Sequence, residues 1–147
     1  MLDYSPRVQT VDARARTAAT RGEVRRSAAL AVLGAWTIVV PYLGRAVGLG
    51  VSVASRVEVV DHVVPGTLIA ATGMYLAVGS YRGAAPGWSR LIGGGVCFLA
   101  GFWVLATHVP LISQAIEGKA AWEAALWHAS TAIPLVALSL WIVLREA

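Results

Sequence analysis

The chain has 147 residues, of which 57% are hydrophobic and only 14% are charged, and its formal net charge is +4 at pH 7. Soluble proteins carry about a quarter charged residues, so this composition excludes an ordinary water-soluble domain. The excess positive charge lies in polar segments beside apolar stretches, where anionic lipid headgroups attract it. No basic face with interleaved stacking aromatic residues indicates a nucleic-acid partner.

Four apolar stretches reach the roughly 20 residues that a helix needs to cross a hydrocarbon core about 30 Å thick. They are residues 27–49, 57–80, 91–112 and 121–144. We therefore predict an all-α membrane protein with a basic cytoplasmic N-terminal segment, residues 1–26, and a four-helix transmembrane domain, residues 27–147. The leading segment could lie as a basic amphipathic helix on the inner leaflet; disorder of its first few residues is the alternative.

The cations are distributed unequally between the two predicted sides of the membrane. One side holds Arg7, Arg14, Arg16, Arg21, Arg25, Arg26, Arg82, Arg90 and Arg145, and the other holds Arg45, Arg56 and Lys119. Because cytoplasmic loops are enriched in arginine and lysine, we expect both termini in the cytoplasm and the chain in the inner (plasma) membrane. On the outer side, Arg45 is expected to reach the interface and pair with Asp61 or Glu58.

The prolines indicate an internal repeat. Pro41 and Pro65 are 24 residues apart, as are Pro110 and Pro134, and a shift of 69 residues superposes the two pairs without a gap. This spacing predicts two repeated helix hairpins, residues 27–80 and 91–144. Each hairpin has an even number of spans, so both hairpins insert in the same orientation. We therefore expect parallel repeats related by an axis along the membrane normal. The expected architecture is a pseudo-twofold four-helix bundle.

A Gly-x-Trp run lies near the middle of the first and third predicted helices, at Gly34-Ala35-Trp36 and Gly101-Phe102-Trp103. Trp36 and Trp103 recur in both halves, which indicates a structural role between the hairpins or contact with a lipid or a partner protein. The other four tryptophans lie near predicted boundaries and are interpreted as interfacial anchors. They are Trp88, Trp122, Trp127 and Trp141.

These runs, each followed by a proline, are similar to the SPW-repeat integral membrane proteins of bacteria and archaea, which are built from duplicated helix hairpins. The resemblance covers about four fifths of the chain. In place of the Ser-Pro-Trp triplet the chain has Val40-Pro41-Tyr42 and Val109-Pro110-Leu111. The resemblance implies the duplicated architecture, and it implies no established activity or catalytic residues.

Small residues repeat every three or four positions in the second and third predicted helices. They are Gly66, Ala70, Gly73 and Ala77 in the second, and Gly93, Cys97 and Gly101 in the third. In lipid, such stripes allow close packing between helices. Pro65 and Pro134 lie inside their predicted helices, where each removes a backbone hydrogen bond and is expected to kink the axis.

Three histidines gather near the outer ends of the predicted helices: His62, His108 and His128. Ionisable residues in membrane spans are rare and often functional, and imidazoles bind transition metals or haem. The alternative is that histidines near helix ends only reach headgroups and water. The proline register aligns His128 with Val59 and not with His62, so the repeat itself does not predict paired ligands.

No catalytic motif is visible. The leading hypothesis is a structural or accessory membrane protein without a cofactor, either a homo-oligomer or a small subunit of a larger inner-membrane complex. Its expected partners are membrane lipids, other copies of itself or other membrane subunits. The alternative hypothesis is a redox membrane protein that binds haem or a transition metal through the three histidines.

Overall fold

The structure, a computed structural model, describes residues 6–49 and 55–146, and over these residues it is helical without any strand. In chain order the elements are α1 (Pro6–Ala46), α2 (Ser55–Glu58), a π-helical segment (Val59–Val63), α3 (Val64–Tyr81), α4 (Gly87–Ile116), α5 (Trp122–Ala129) and α6 (Ala132–Glu146). No residue separates α2 from the π segment or the π segment from α3. A two-residue turn separates α5 from α6.

Four helical stretches within the described residues are long and apolar enough to cross a membrane. They are Thr20–Ala46, Arg56–Tyr81, Gly87–Ile116 and Trp122–Glu146. Over the described residues, the prediction of a helical protein with four helices long and apolar enough to cross a membrane is therefore confirmed. The predicted boundaries differ most at the start, because α1 continues from Pro6 into the first span as one helix of 41 residues. Residues 7–21 contain no glycine or proline to interrupt it.

Glycine ends three of the helices. Gly48, Gly83 and Gly118 follow α1, α3 and α4, and each has a positive φ, between 66° and 78°. A residue with a side chain rarely adopts this conformation, whereas glycine does so freely. After α4, the amide of Lys119 donates to the carbonyl of Gln114 at 2.8 Å, which closes the helix end in the way common for glycine caps.

The two expected proline distortions are present in different forms. The π segment lies immediately before Pro65, and a turn at Ser130 and Thr131 lies before Pro134. A proline ring clashes with the carbonyl four residues earlier, which here belongs to Asp61 and to Ser130. The helix therefore widens in one span and breaks in the other.

The tightest contact in the bundle joins α1 to α3. A Cβ atom added to Gly34 would lie 2.4 Å from the backbone nitrogen of Ala70, and one added to Gly73 would lie 2.5 Å from that of Ala31. Gly66, the first residue of the predicted stripe, would meet the carbonyl oxygen of Gly34 at 2.8 Å. No side chain fits at these positions, so the two backbones touch directly. In the sequence, Gly34 stands out only as part of the Gly-x-Trp run.

The glycines of α4 lie at its contacts with two neighbouring helices, α3 and α6. A Cβ on Gly93 would meet Leu76 of α3 at 2.9 Å, and one on Gly101 would meet Leu135 of α6 at 3.2 Å. Between them Cys97 is fully buried, in a core that includes Leu30 of α1, Ile69 of α3 and Leu135. The small residues of the third span therefore allow α3 and α6 to approach the same helix. Ala77 of α3 is also buried, at 9% exposure.

Two predicted marker tryptophans have different surroundings. Trp36 packs edge-on against Trp127 of α5, with ring centroids 5.9 Å apart, whereas Trp103 is 49% exposed. The indole nitrogen of Trp127 donates to the carbonyl of Val40 at 2.8 Å. Gly44 leaves space for this indole, because a Cβ there would lie 2.7 Å from the nitrogen. Trp127 thus joins α5 to α1, in addition to any role at the interface.

We expect Gly34→Ala to destabilise the protein by about 1–3 kcal/mol, because the added methyl group forces α1 away from α3. The matched control is Gly95→Ala in α4, where the added Cβ meets nothing within 4 Å and better helix propensity makes the change neutral or stabilising. Thermal unfolding in detergent, followed by circular dichroism, measures both. Equal midpoints for the two variants would contradict the close backbone contact.

Candidate functional site

The three histidines that the sequence singled out lie side by side in the structure. The ring centroids of His62 and His108 are 4.9 Å apart, those of His62 and His128 are 6.0 Å apart, and those of His108 and His128 are 6.3 Å apart. All three side chains are buried, with exposures of 3–5%. We call His62, His108 and His128 the histidine cluster.

The cluster is assembled from three helical elements, and a proline follows each histidine closely, although α4 continues through Pro110 without a break. His62 belongs to the π segment three residues before Pro65, and His108 lies in α4 two residues before Pro110. His128 lies in the last turn of α5, just before the break that precedes Pro134. Irregular backbone at membrane depth is tolerated where it is buried in protein or lines a cavity, and π turns occur often at functional sites.

Two of the three rings have a defined orientation. Nδ1 of His108 lies 2.6 Å from the carbonyl oxygen of Val104, and Nδ1 of His128 lies 3.0 Å from that of Ala124. A carbonyl only accepts hydrogen bonds, so in each ring Nδ1 carries the proton and donates it. The lone pair of a neutral imidazole is then on Nε2. Histidines that bind metals are typically held in this way, by a hydrogen bond from the other nitrogen.

Several ring nitrogens of the histidine cluster are buried without a partner. Both nitrogens of His62, and Nε2 of His128, have no hydrogen bond to any described residue. A buried polar atom without a partner costs about 1–3 kcal/mol, and the cost is larger where lipid replaces water. Such atoms are rare enough in native proteins that each calls for an explanation, for example a bound ion or water.

A cavity of about 340 Å³ adjoins the cluster. It is lined by the three histidines, by Val57, Glu58 and Asp61 of the second span, and by Thr107, Pro110, Leu111 and Gln114 of α4. The volume is at the lower end of the range of small-ligand sites. Thr107 and Gln114 were not singled out from the sequence, where each is an isolated polar residue within or beside an apolar run.

The charges around the cavity favour a cation. Glu58 is almost fully buried and forms an ion pair with Arg45, which is one of the two pairings expected for that arginine. Asp61 has no ion pair with any described residue and lines the same cavity. With the charge of Glu58 compensated, the cavity keeps the carboxylate of Asp61 and three imidazoles, which are the donors that divalent transition metals prefer.

The side chains as they stand do not enclose a metal ion. Within the described part of the chain, no group of three or more His, Cys, Asp or Glu residues is placed to hold one. With metal–nitrogen bonds of 2.0–2.1 Å in tetrahedral geometry, imidazole centroids lie about 5–5.5 Å apart. The observed separations are 4.9, 6.0 and 6.3 Å, so two of the three pairs are wider than in such a site.

The arrangement fits haem poorly. In a haem with two histidine ligands, the porphyrin lies in the plane midway between the two imidazoles. The centroid of His62 is 4.9 Å from His108 and 6.0 Å from His128, so its ring lies near the plane midway between them. A porphyrin bound by His108 and His128 would overlap His62. His62 and His108, at 4.9 Å, are too close to take a porphyrin between them.

Comparison with models of known protein families, with curated proteins and with solved structures gives no match for this chain. The resemblance to SPW-repeat proteins therefore stays a prediction. Function has to be inferred from the histidine cluster itself.

In protein treated with a chelator, we expect His62→Leu to raise the free energy of unfolding by about 1–2 kcal/mol, because it removes two unpaired buried nitrogens. The matched variant is His108→Leu, which also loses the hydrogen bond to Val104 and should gain less or lose stability. Chemical or thermal unfolding in detergent measures the difference. If His62→Leu is the more damaging of the two, the nitrogens of His62 have partners in the folded protein.

Proposed function

We propose that the chain is a membrane protein that binds one divalent transition-metal ion at the histidine cluster. His62, His108 and His128 supply nitrogen ligands, and Asp61 supplies a carboxylate as a fourth ligand or as a neighbouring counter-charge. The observation that carries this proposal is the convergence of three buried imidazoles from three helical elements, with three ring nitrogens left without partners.

A metal ion explains these features better than a haem group or an apolar ligand. A single ion at the centre of the cluster would bind one nitrogen of His62 and Nε2 of His128, which accounts for two of the three unpaired nitrogens. It would also compensate the charge of Asp61. Where Asp61 acts as a counter-charge and not as a ligand, the three histidines leave one coordination position open, facing a cavity with room for water or a small molecule. Sites with an open position are typical of metals that react or are passed on, whereas structural zinc sites are closed by four protein ligands.

The proposal includes a topology. We infer that the chain forms two parallel hairpins related by a pseudo-twofold axis, with both termini in the cytoplasm. We place the protein in the inner (plasma) membrane of the cell. The proline spacing and the distribution of arginines support this arrangement, and so does the extensive packing of α1 against α3 and of α4 against α6. In this topology the histidine cluster belongs to the outer half of the membrane.

The structural or accessory role predicted from the sequence stays a prediction, and metal binding is compatible with it. A mass measurement on protein purified in mild detergent tests it separately. A strictly monomeric protein without any co-purifying chain would count against that role and would leave the metal proposal unaffected.

We expect the purified protein, without a polyhistidine tag, to bind one Zn²⁺ per chain after equilibration and removal of free metal. The histidine cluster contains every histidine of the chain, so each single substitution to alanine should weaken binding by at least about a hundredfold, since second-sphere changes alone cost 10–100-fold. Elemental analysis and calorimetry provide the stoichiometry and the affinity. The same measurement on Fe²⁺, Cu²⁺ and Mn²⁺ ranks the metals.

Two results would overturn the metal proposal. One is a wild-type protein that retains no more metal than a variant lacking all three histidines. The other is a preparation, from cells supplied with haem, whose absorption spectrum shows a bound haem that disappears with His108→Ala or His128→Ala.

Asp61→Asn should weaken metal binding by about tenfold, because it removes the negative charge beside the ion while keeping the shape of the side chain. Glu123→Gln is the matched control, since it removes a carboxylate from the exposed first turn of α5. Competition with a chromophoric chelator compares the two. Equal affinities would show that Asp61 has no part in the site.

A further inference from the structure

The other end of the bundle presents two arginines on one tryptophan. The guanidinium carbon of Arg26, from α1, lies 5.3 Å from the ring centroid of Trp141 in α6, and that of Arg145 lies 5.2 Å from the same ring. Cation–π contacts of this kind extend to about 6 Å. Two guanidinium groups from two different helices thus contact the same indole, and both arginines line one crevice.

The nearby carboxylates are already paired with a different arginine. Arg90 of α4 binds Glu23 of α1 at 3.3 Å and Glu146 of α6 at 3.0 Å. This network ties three helices together. Arg26 and Arg145 form no ion pair with any described residue, so their guanidinium groups have no direct carboxylate partner. Glu23 and Glu146 line the same crevice, and the five charges together sum to +1.

The position of this cluster corresponds to the membrane–water interface. Arg26 lies near the start of the first span, and Trp141 and Arg145 lie near the end of the fourth. Trp141 is 47% exposed, and tryptophan is enriched at the level of the lipid headgroups. The crevice beside these residues, which Glu23 and Glu146 also line, has a volume of only about 10 Å³. This is room for a single water, so we expect an anion to bind at the surface of the crevice and not inside it.

The neighbouring surface fits a lipid better than a free anion. Leu140 is 41% exposed and Leu144 is 68% exposed, and both lie within four residues of Trp141 on α6. They provide an apolar face for acyl chains directly beside the two charges. A planar guanidinium that is stacked on an indole keeps its N–H donors free at its edge, and these match phosphate oxygens in pairs.

We propose that Arg26, Trp141 and Arg145 form a binding site for the phosphate group of an anionic phospholipid. The two guanidinium groups hold the phosphate, Trp141 holds the guanidinium groups in place, and the apolar face of α6 receives the acyl chains. The site is independent of the metal proposed at the opposite end. It differs from general attraction between a basic segment and the membrane, because it requires these two arginines and not merely their charge.

The test uses full-length protein in nanodiscs of phosphatidylcholine mixed with phosphatidylglycerol. Lipid that remains bound after release from the discs is identified by native mass spectrometry. We compare the wild type with Arg26→Gln/Arg145→Gln and with the control Arg25→Gln/Arg82→Gln, which removes two exposed arginines predicted on the same side. Both double variants lose the same general attraction to the membrane surface, and the first also loses the hydrogen bonds of two guanidinium groups to the phosphate. The first double variant should therefore retain phosphatidylglycerol roughly thirtyfold less strongly than the control.

Further variants distinguish a specific lipid-binding site from general electrostatic attraction to the membrane. Arg26→Lys/Arg145→Lys keeps both charges but loses the planar fork, so its retention should fall between the wild type and the glutamine variant. Trp141→Leu keeps the apolar surface and all the arginines, and it should also reduce retention because the guanidinium groups are no longer held. If the glutamine variant does not fold, these two variants provide the same comparison against the control.

Several outcomes would overturn the proposal. Equal retention by the wild type and the arginine variants would exclude the site, and an equal loss in the control would reduce it to general electrostatic attraction. Inorganic phosphate, added to protein in detergent, provides the remaining arm. If phosphate alone raises the unfolding temperature of the wild type and not of the arginine variant, while phosphatidylglycerol has no further effect, the ligand is a free phosphate and not a lipid.

Discussion

Direct contact between the backbones of α1 and α3 is the constraint on which the rest of the structure depends. Lipid offers no hydrophobic gain for bringing two apolar helices together, so close dispersion contact has to hold them. Gly34, Gly66 and Gly73 provide it by leaving no side chain between the two helices. This contact fixes α3, and α3 in turn fixes the π segment that carries His62. The position of the candidate metal ligand is thus set by glycines elsewhere in the same helices.

The two ends of the bundle hold different kinds of polar group. At one end Arg90 forms ion pairs with both Glu23 and Glu146, although Nε of Arg90 and Oγ of Ser80 have no hydrogen bond to any described residue. At the other end both nitrogens of His62 are buried without a described partner, beside the cavity of the histidine cluster. A membrane protein has little water with which to satisfy such atoms. The cavity and the metal-binding chemistry of imidazole, together with the unpaired atoms, are the reason for placing a ligand at the histidine cluster.

The sequence predicted the number of spans and identified the three histidines, because both depend on local composition. Four runs of apolar residues are visible without any tertiary information, and a histidine in such a run is conspicuous. The convergence of His62, His108 and His128 could not be predicted, since the proline register aligns His128 with Val59 and not with His62. The three histidines converge because of the π turn before Pro65 and the break before Pro134. Each irregularity changes the direction in which the residues of the neighbouring turn face. The close contact of Gly34 with α3 could not be predicted either, because a single glycine in a sequence does not indicate which backbone approaches it.

The π segment makes the packing face of the second span independent of the residues that line the cavity. In a regular α-helix a change in one would also change the other. A π turn amounts to one extra residue in an α-helix, and each residue of an α-helix turns the chain by about 100°. Residues after the segment, including Gly66 and Gly73, keep their facing towards α1, while the residues before it are turned relative to them. A chain shorter by one residue in this segment would preserve the glycine contact and redirect Glu58 away from Arg45. The extra residue thus lets the packing face of the second span and the lining of the cavity be adjusted separately during evolution.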